Sequence, residues 1–231
     1  MTNHLASTRL PVFDPALWDR LQPRWQSWWQ RAGALSNWVK AEGCDDTFAY
    51  LAWLYSDPRR FYHTLVHVEA CLNEFERGRV RPLFANPLAA ELAIWTHDAI
   101  YEARKTDNES RSVDLADEIR IRRGLLDQTF YTRVATMIMA TRHHWPTDDL
   151  DMQLVLDIDL SILGQPEEIF DEYDRAIRQE YSWVGKIEYS VKRKIVLQRF
   201  LDRDRIYGSE VFFKMYEESA RMNLKRAIDK L

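Results

Sequence analysis

The chain has 231 residues, of which 46% are hydrophobic and 29% charged, so it can bury a sizeable core and is not disordered in bulk. With 32 basic and 36 acidic residues, its formal net charge is -4. Bulk nucleic acid is therefore excluded as a partner, because duplex binders carry a clear basic excess. Only 7 Gly and 8 Pro interrupt the sequence, which favours helices over many short strands.

Cys44 and Cys71 lie far apart, without metal-type spacing, and fit reduced thiols. The opening MTNHLASTRLPVFDP lacks the basic start and apolar centre of a signal peptide. No apolar run approaches the 18 or more residues of a membrane span. A cytoplasmic protein of one domain with an extension, or at most two small domains, is expected.

Residues 1–14 form a lead-in. From Pro15, Leu17, Leu21, Trp25, Trp28 and Trp29 recur near helical spacing, so three tryptophans call for burial. Their helix either packs on the main body (the ordinary outcome) or meets a partner, and Pro23 is placed to kink it. Together 1–45 make a Trp-rich attachment to an all-α domain spanning 46–231. A second helix is expected over 47–55, and a third holds YHTLVHVEACLNEFERG. A fourth runs from Asn86-Pro87 through LAAELAIWTHDAIY and is apolar nearly all round, which places it centrally. Helices follow near 108–123, 128–143, 149–163, 167–182, 186–203 and 210–230. The stripe on the last one either completes the core or makes a homodimer. The pattern is that of a bundle-like all-α domain.

Five of the six histidines, His63, His67, His97, His143 and His144, fall in or beside apolar helical segments. One such histidine is ordinarily a satisfied core residue; five beside carboxylates point to a shared cation. His63 and His67 stand at i and i+4, on one face of the expected third helix. His97 and Asp98 are adjacent, diverge by about 100° on a helix, and can embrace an ion at its end. From QLVLDIDLSILG, Asp159 shares the more apolar face and is chosen as ligand, with Asp157 one step further out.

The segments YHTLVHVEACL, WTHDAIYEARKTDNESRS, ATRHHWPTDD and LDIDLSILG, in this order over roughly 60–165, resemble the HD superfamily of metal-dependent phosphohydrolases. They are closest in pattern to a bacterial branch of unassigned substrate. The resemblance implies an HD-domain helical bundle with His67, His97, Asp98 and Asp159 as metal ligands. Some HD enzymes hold a second ion, for which His144, and less well His143, could serve; a structural histidine pair at a helix end fits equally. YHTLVH is also similar to the YHN-x-x-H segment of cyclic-nucleotide phosphodiesterases, which implies that His63 is the proton donor to the leaving oxygen. Thr64 stands where those enzymes have Asn, and no purine-recognition segment is visible, which points away from cyclic nucleotides.

Such ligands suit Mn, Fe, Zn, Co or Ni better than Mg, as one or two ions. A metal lowers the pKa of bound water to about 7, and the resulting hydroxide attacks phosphorus, with Asp98 orienting it. Glu109 either positions water or serves as a first-turn helix acid. Arg104 and Lys105 read as a solvated charge run rather than a phosphate contact, and Tyr189, Lys192 and Arg193 as a solvated helix face. The expected activity is hydrolysis of a small phosphorylated metabolite, with a nucleotide foremost. A di-iron oxygenase and a non-enzymatic nucleotide sensor are the alternatives.

Overall fold

Aspartates start several helices by accepting the free amide donors of their first turns. Asp14 Oδ1 accepts from the Ala16 amide at 3.0 Å, with Pro15 at the first helical position. Asp127 does the same for the Thr129 and Phe130 amides, and Asp149 for Met152. The computed structural model describes residues 14–34, 43–125 and 127–231. His4 and the lead-in before Asp14 lie outside the described residues.

Among the described residues there are ten α-helices and no strand. They are α1 (Pro15–Gly33), α2 (Cys44–Tyr55), α3 (Leu65–Glu76), α4 (Pro87–Thr96), α5 (Asn108–Arg122), α6 (Gln128–Thr141), α7 (Leu150–Asp159), α8 (Glu167–Glu180), α9 (Lys186–Leu201) and α10 (Glu210–Asp229). Short 3₁₀ turns occupy Arg81–Leu83 and Leu160–Gly164. None of the helices is long and apolar enough to cross a membrane.

The centre is α4, where every residue from Ala89 to Thr96 is buried. Its start is pinned from afar: the buried Asp151 carboxylate accepts the amides of Ala85 and Asn86, each at 2.8 Å, while Asn86 makes no side-chain cap. Helix α1 continues through Pro23 and packs its tryptophans into the same buried cluster as α4, as expected of a helix packing on the main body. Trp25 packs edge-on against Trp95 with centroids 5.4 Å apart. The Trp25 indole donates to the Cys44 carbonyl and that of Trp28 to the Leu88 carbonyl, satisfying polar atoms that burial would otherwise orphan.

Helix α10 closes the far side by burying Phe212, Ala220 and Leu224, so its apolar stripe completes the core. It packs on the turn after α7. Asn223 Nδ2 donates to the carbonyls of Leu163 and Gln165, both at 2.9 Å. A Cβ on Gly164 would stand 2.9 Å from the Tyr216 carbonyl oxygen, so only glycine allows this approach. These contacts fix the end of α7, where Asp159 sits.

Candidate metal centre

Three helix ends meet at one point. His67 lies in the first turn of α3, which Thr64 caps by accepting the Val66 amide. His97 is the residue on which α4 ends, with Asp98 in the turn beyond, and Asp159 closes α7. His97 Nδ1 donates to the Ile94 carbonyl at 3.0 Å. A carbonyl can only accept, so Nδ1 carries a proton, and the ring in its neutral form turns the Nε2 lone pair inward.

His67 Nε2 stands 3.2 Å from that atom. Asp159 Oδ1 lies 3.1 Å from His67 Nε2 and 3.6 Å from His97 Nε2. Asp98 Oδ2 lies 3.2 Å from His97 Nε2 and 3.7 Å from His67 Nε2. Donors held about 2.0–2.2 Å from a zinc-like ion stand about 3.3–3.6 Å apart at tetrahedral corners. The His67, His97 and Asp159 group could therefore hold a metal ion, with Asp98 close to both imidazoles but outside that group. Its nitrogen and oxygen donors suit a divalent transition metal.

Burial raises the cost of ionising both carboxylates, yet the imidazoles hold Asp98 and Asp159 below the usual carboxylate range. Burial likewise opposes a charge on His97, and the two carboxylates reverse this and lift it well above its ordinary value. A cluster that binds positive charge this strongly is one that a cation fits.

His144 stands outside the His67, His97 and Asp159 group. Its Nε2 is bonded to Asp159 Oδ2 at 2.7 Å, on the oxygen opposite the one that faces His67. Among the described residues it is the only non-glycine with positive φ, at 51°, a conformation that carries strain and aims the ring inward. His143 is exposed and joins no ligand group.

His63 departs from the expected helix geometry. Helix α3 begins at Leu65, so His63 is in the loop before it and shares no helix face with His67; the Thr64 cap ends the helical backbone first. Tertiary contacts bring it close instead, with ring centroids 6.2 Å apart. His63 Nδ1 meets Glu180 Oε2 at 2.6 Å. Glu180 Oε1 accepts the amides of Phe61, Tyr62 and His63 at 2.8–3.0 Å. Burial favours the neutral carboxyl, but the His63 bond and charge and these amides outweigh it and hold Glu180 down at about 2. Burial also opposes His63 protonation, and Asp98 and Glu180 together raise it above its ordinary value.

Glu180 is missing from the sequence-based candidates, since QEY at the end of α8 looks like any solvated helix end. Arg60 is missing too. Its guanidinium donates to the carbonyls of His63, Asp98 and Ala99, tying the His63 loop to the Asp98 turn. A basic residue buried at 8% exposure among SDPRRFYH carried no signal for this role.

Asp157 lies elsewhere than one step out. It is fully buried and accepts from the Gly208 and Ser209 amides and from Gln153, so it anchors the start of α10. Of the two acids it is the more buried, and backbone amides rather than a cation satisfy it.

A cavity of about 1190 Å³ opens beside the centre. Asp98 and Asp159 are on its wall, with His63, Tyr101 and Glu109. Tyr189, Lys192 and Arg193 line it as well, which corrects their assignment to a solvated face. Arg193 is buried and paired with Asp174 at 2.8 Å. Arg104 and Lys105 stay exposed outside it, Arg104 lying over the Trp183 ring.

No family model, no curated protein and no solved structure matches this chain.

Proposed function

We propose that the chain is a metal-dependent phosphohydrolase of the HD type, acting on a small phosphorylated metabolite such as a nucleotide. The observation that carries this reading is the grouping of His67 Nε2, His97 Nε2 and Asp159 Oδ1, with Asp98 Oδ2 3.2 Å from His97 Nε2, beside a large cavity whose wall holds Asp98, Asp159 and His63. A divalent ion held there would neutralise phosphoryl charge and acidify water.

The protein groups divide the remaining work. His63 is held by Nδ1 on Glu180, which leaves Nε2 to give its proton to the departing oxygen as the phosphorus–oxygen bond breaks. Glu180 keeps that imidazole oriented and charged. Asp98 accepts a hydrogen bond from the attacking water. Glu109, on the same wall, is a further acceptor for water. His144 fixes the orientation of Asp159 through its second oxygen.

An oxygenase with two irons would need His144 or His143 as ligands. His144 Nε2 is engaged by Asp159 and His143 is exposed, so nothing favours that reading. A sensor without catalysis would have no use for the His63–Glu180 pair.

The test is hydrolysis of a panel of phosphomonoesters, phosphodiesters and nucleotides by chelator-treated protein reloaded in turn with Mn, Fe, Co, Ni, Zn and Mg. Turnover that needs a transition metal and is lost in Asp98→Ala supports the reading. Absence of turnover with every metal and ester overturns it.

A further inference from the structure

The cavity is not uniform in charge. Its wall on the α9 side presents Tyr189, Lys192, Val196, Arg199 and Phe200, then Arg203 just past the helix end. Tyr189, Lys192, Val196 and Arg199 recur every three or four residues and so share one helical face, with Phe200 beside it. Arg142 adds a further cation to the same cavity.

Three of these cations lack an acid. Among the described residues, Arg142, Arg199 and Arg203 form no ion pair, and Arg203 donates a long bond to the His143 carbonyl at 3.4 Å. Lys192 is bonded to Glu188 and Arg193 to Asp174. Asp202, the acid on this stretch, is occupied by Gln198. Arg203 lies over the Phe200 ring at 4.6 Å and beside Trp145. Burial alone pulls its pKa down, with no carboxylate to offset it.

A second observation comes from the same face. Tyr189 is only 8% exposed, and its buried hydroxyl has no hydrogen-bond partner. A polar group buried against a cavity wall is costly unless something in the cavity meets it.

The stripe is also near the metal centre. Asp159 bonds His144, the His144 ring lies 6.4 Å from Phe200, and Arg203 covers the other contact of Phe200. One aromatic ring therefore separates His144, the partner of Asp159, from the Arg203 guanidinium.

We propose that the Arg142, Arg199 and Arg203 end of the cavity is a binding subsite for a second phosphate, so that the ligand is a small molecule carrying two separated phosphate groups. This rests on the phosphohydrolase reading above for the first phosphate, at the metal centre. Guanidinium forks suit a terminal phosphate, which offers paired oxygens.

The experiment is calorimetric titration of the chelator-treated full chain with adenosine 5′-monophosphate and with adenosine 3′,5′-bisphosphate at fixed ionic strength. The bisphosphate is expected to bind at least about tenfold more tightly, the worth of one or two charge-assisted bonds. In the Arg199→Gln/Arg203→Gln double variant the ratio of the two Kd values should fall to within about twofold. Arg142→Gln, on a separate element, should lower the ratio as well, which covers failure of the double variant to fold. Equal Kd values in the wild type, no bisphosphate binding, or a ratio retained in a folded double or Arg142 variant overturns the subsite. Binding is read without metal or turnover, so the two readings fail separately. A bisphosphate preference in a protein that hydrolyses nothing keeps the subsite and removes the hydrolase; hydrolysis without the preference does the opposite.

Discussion

His63 and Glu180, 117 positions apart in the chain, are joined ring nitrogen to carboxylate at 2.6 Å. The carboxylate is itself fixed by three consecutive backbone amides. It therefore fixes the imidazole's orientation and favours its charged form, through a contact separate from the His67, His97 and Asp159 group.

Removing either partner should separate proton donation from metal binding. His63→Ala is expected to lower turnover of an alkyl phosphoester by about 10²–10⁴-fold while metal content is unchanged. The loss should shrink for a nitrophenyl ester, whose leaving group needs little protonation. Glu180→Gln keeps the shape but not the charge, so the basic limb of the pH–rate profile should move to lower pH. An unshifted limb, or loss of metal in His63→Ala, contradicts the assignment.

The pair also gives stability a pH signature. Glu180 is depressed from 4.5 to about 2, so its contribution is present above 4.5 and lost as pH falls through about 2. His63 is raised above 6.5, so its contribution is full below 6.5 and lost as pH rises through the higher folded value. The coupling should be largest between 4.5 and 6.5 and fall on both sides. A double-mutant cycle of His63→Ala and Glu180→Ala, followed by denaturant unfolding across pH, measures it. A coupling that is flat with pH means the pair is neutral.

Asp157 and Asp159 should fail in different ways. Asp159→Asn is expected to lose metal and activity with the fold retained. Asp157→Ala leaves the Gly208 and Ser209 amides without an acceptor, and should cost on the order of 3 kcal/mol of stability while the folded fraction still takes up metal. Metal loss in folded Asp157→Ala would show that the two roles are exchanged.

His144→Ala should weaken metal affinity by about 10–100-fold, the usual effect of removing the partner of a ligand, yet reach the wild-type stoichiometry at saturating metal. A lower stoichiometry at saturation would make His144 a ligand in its own right.

Much of this was legible in the chain, and the rest was hidden for physical reasons. The tryptophans of α1, the apolar run of α4 and the breakers between helices reported the all-α core, because burial and periodicity are local signals. His97-Asp98 stood out because an ionisable pair inside an apolar helix needs a partner. The loop position of His63 was missed because a Thr64 cap resembles a helical residue in a periodic window. Asp157 and Asp159 were ranked by side-chain neighbours along one helix, whereas the Gly208–Ser209 backbone, about fifty residues on, is what satisfies Asp157. Glu180 and the cavity face of α9 depend on how helices pack against one another, and no local pattern encodes that.

The most direct measurement is the metal content of the purified chain by mass spectrometry of its elements, before and after chelation and dialysis against Mn, Fe and Zn. The wild type should carry or take up a transition metal at about one ion per chain, as expected for a single buried group of nitrogen and oxygen donors, and His97→Ala should lose it while remaining helical by circular dichroism. A folded wild type that neither contains nor takes up metal would contradict the centre built from His67, His97, Asp98 and Asp159.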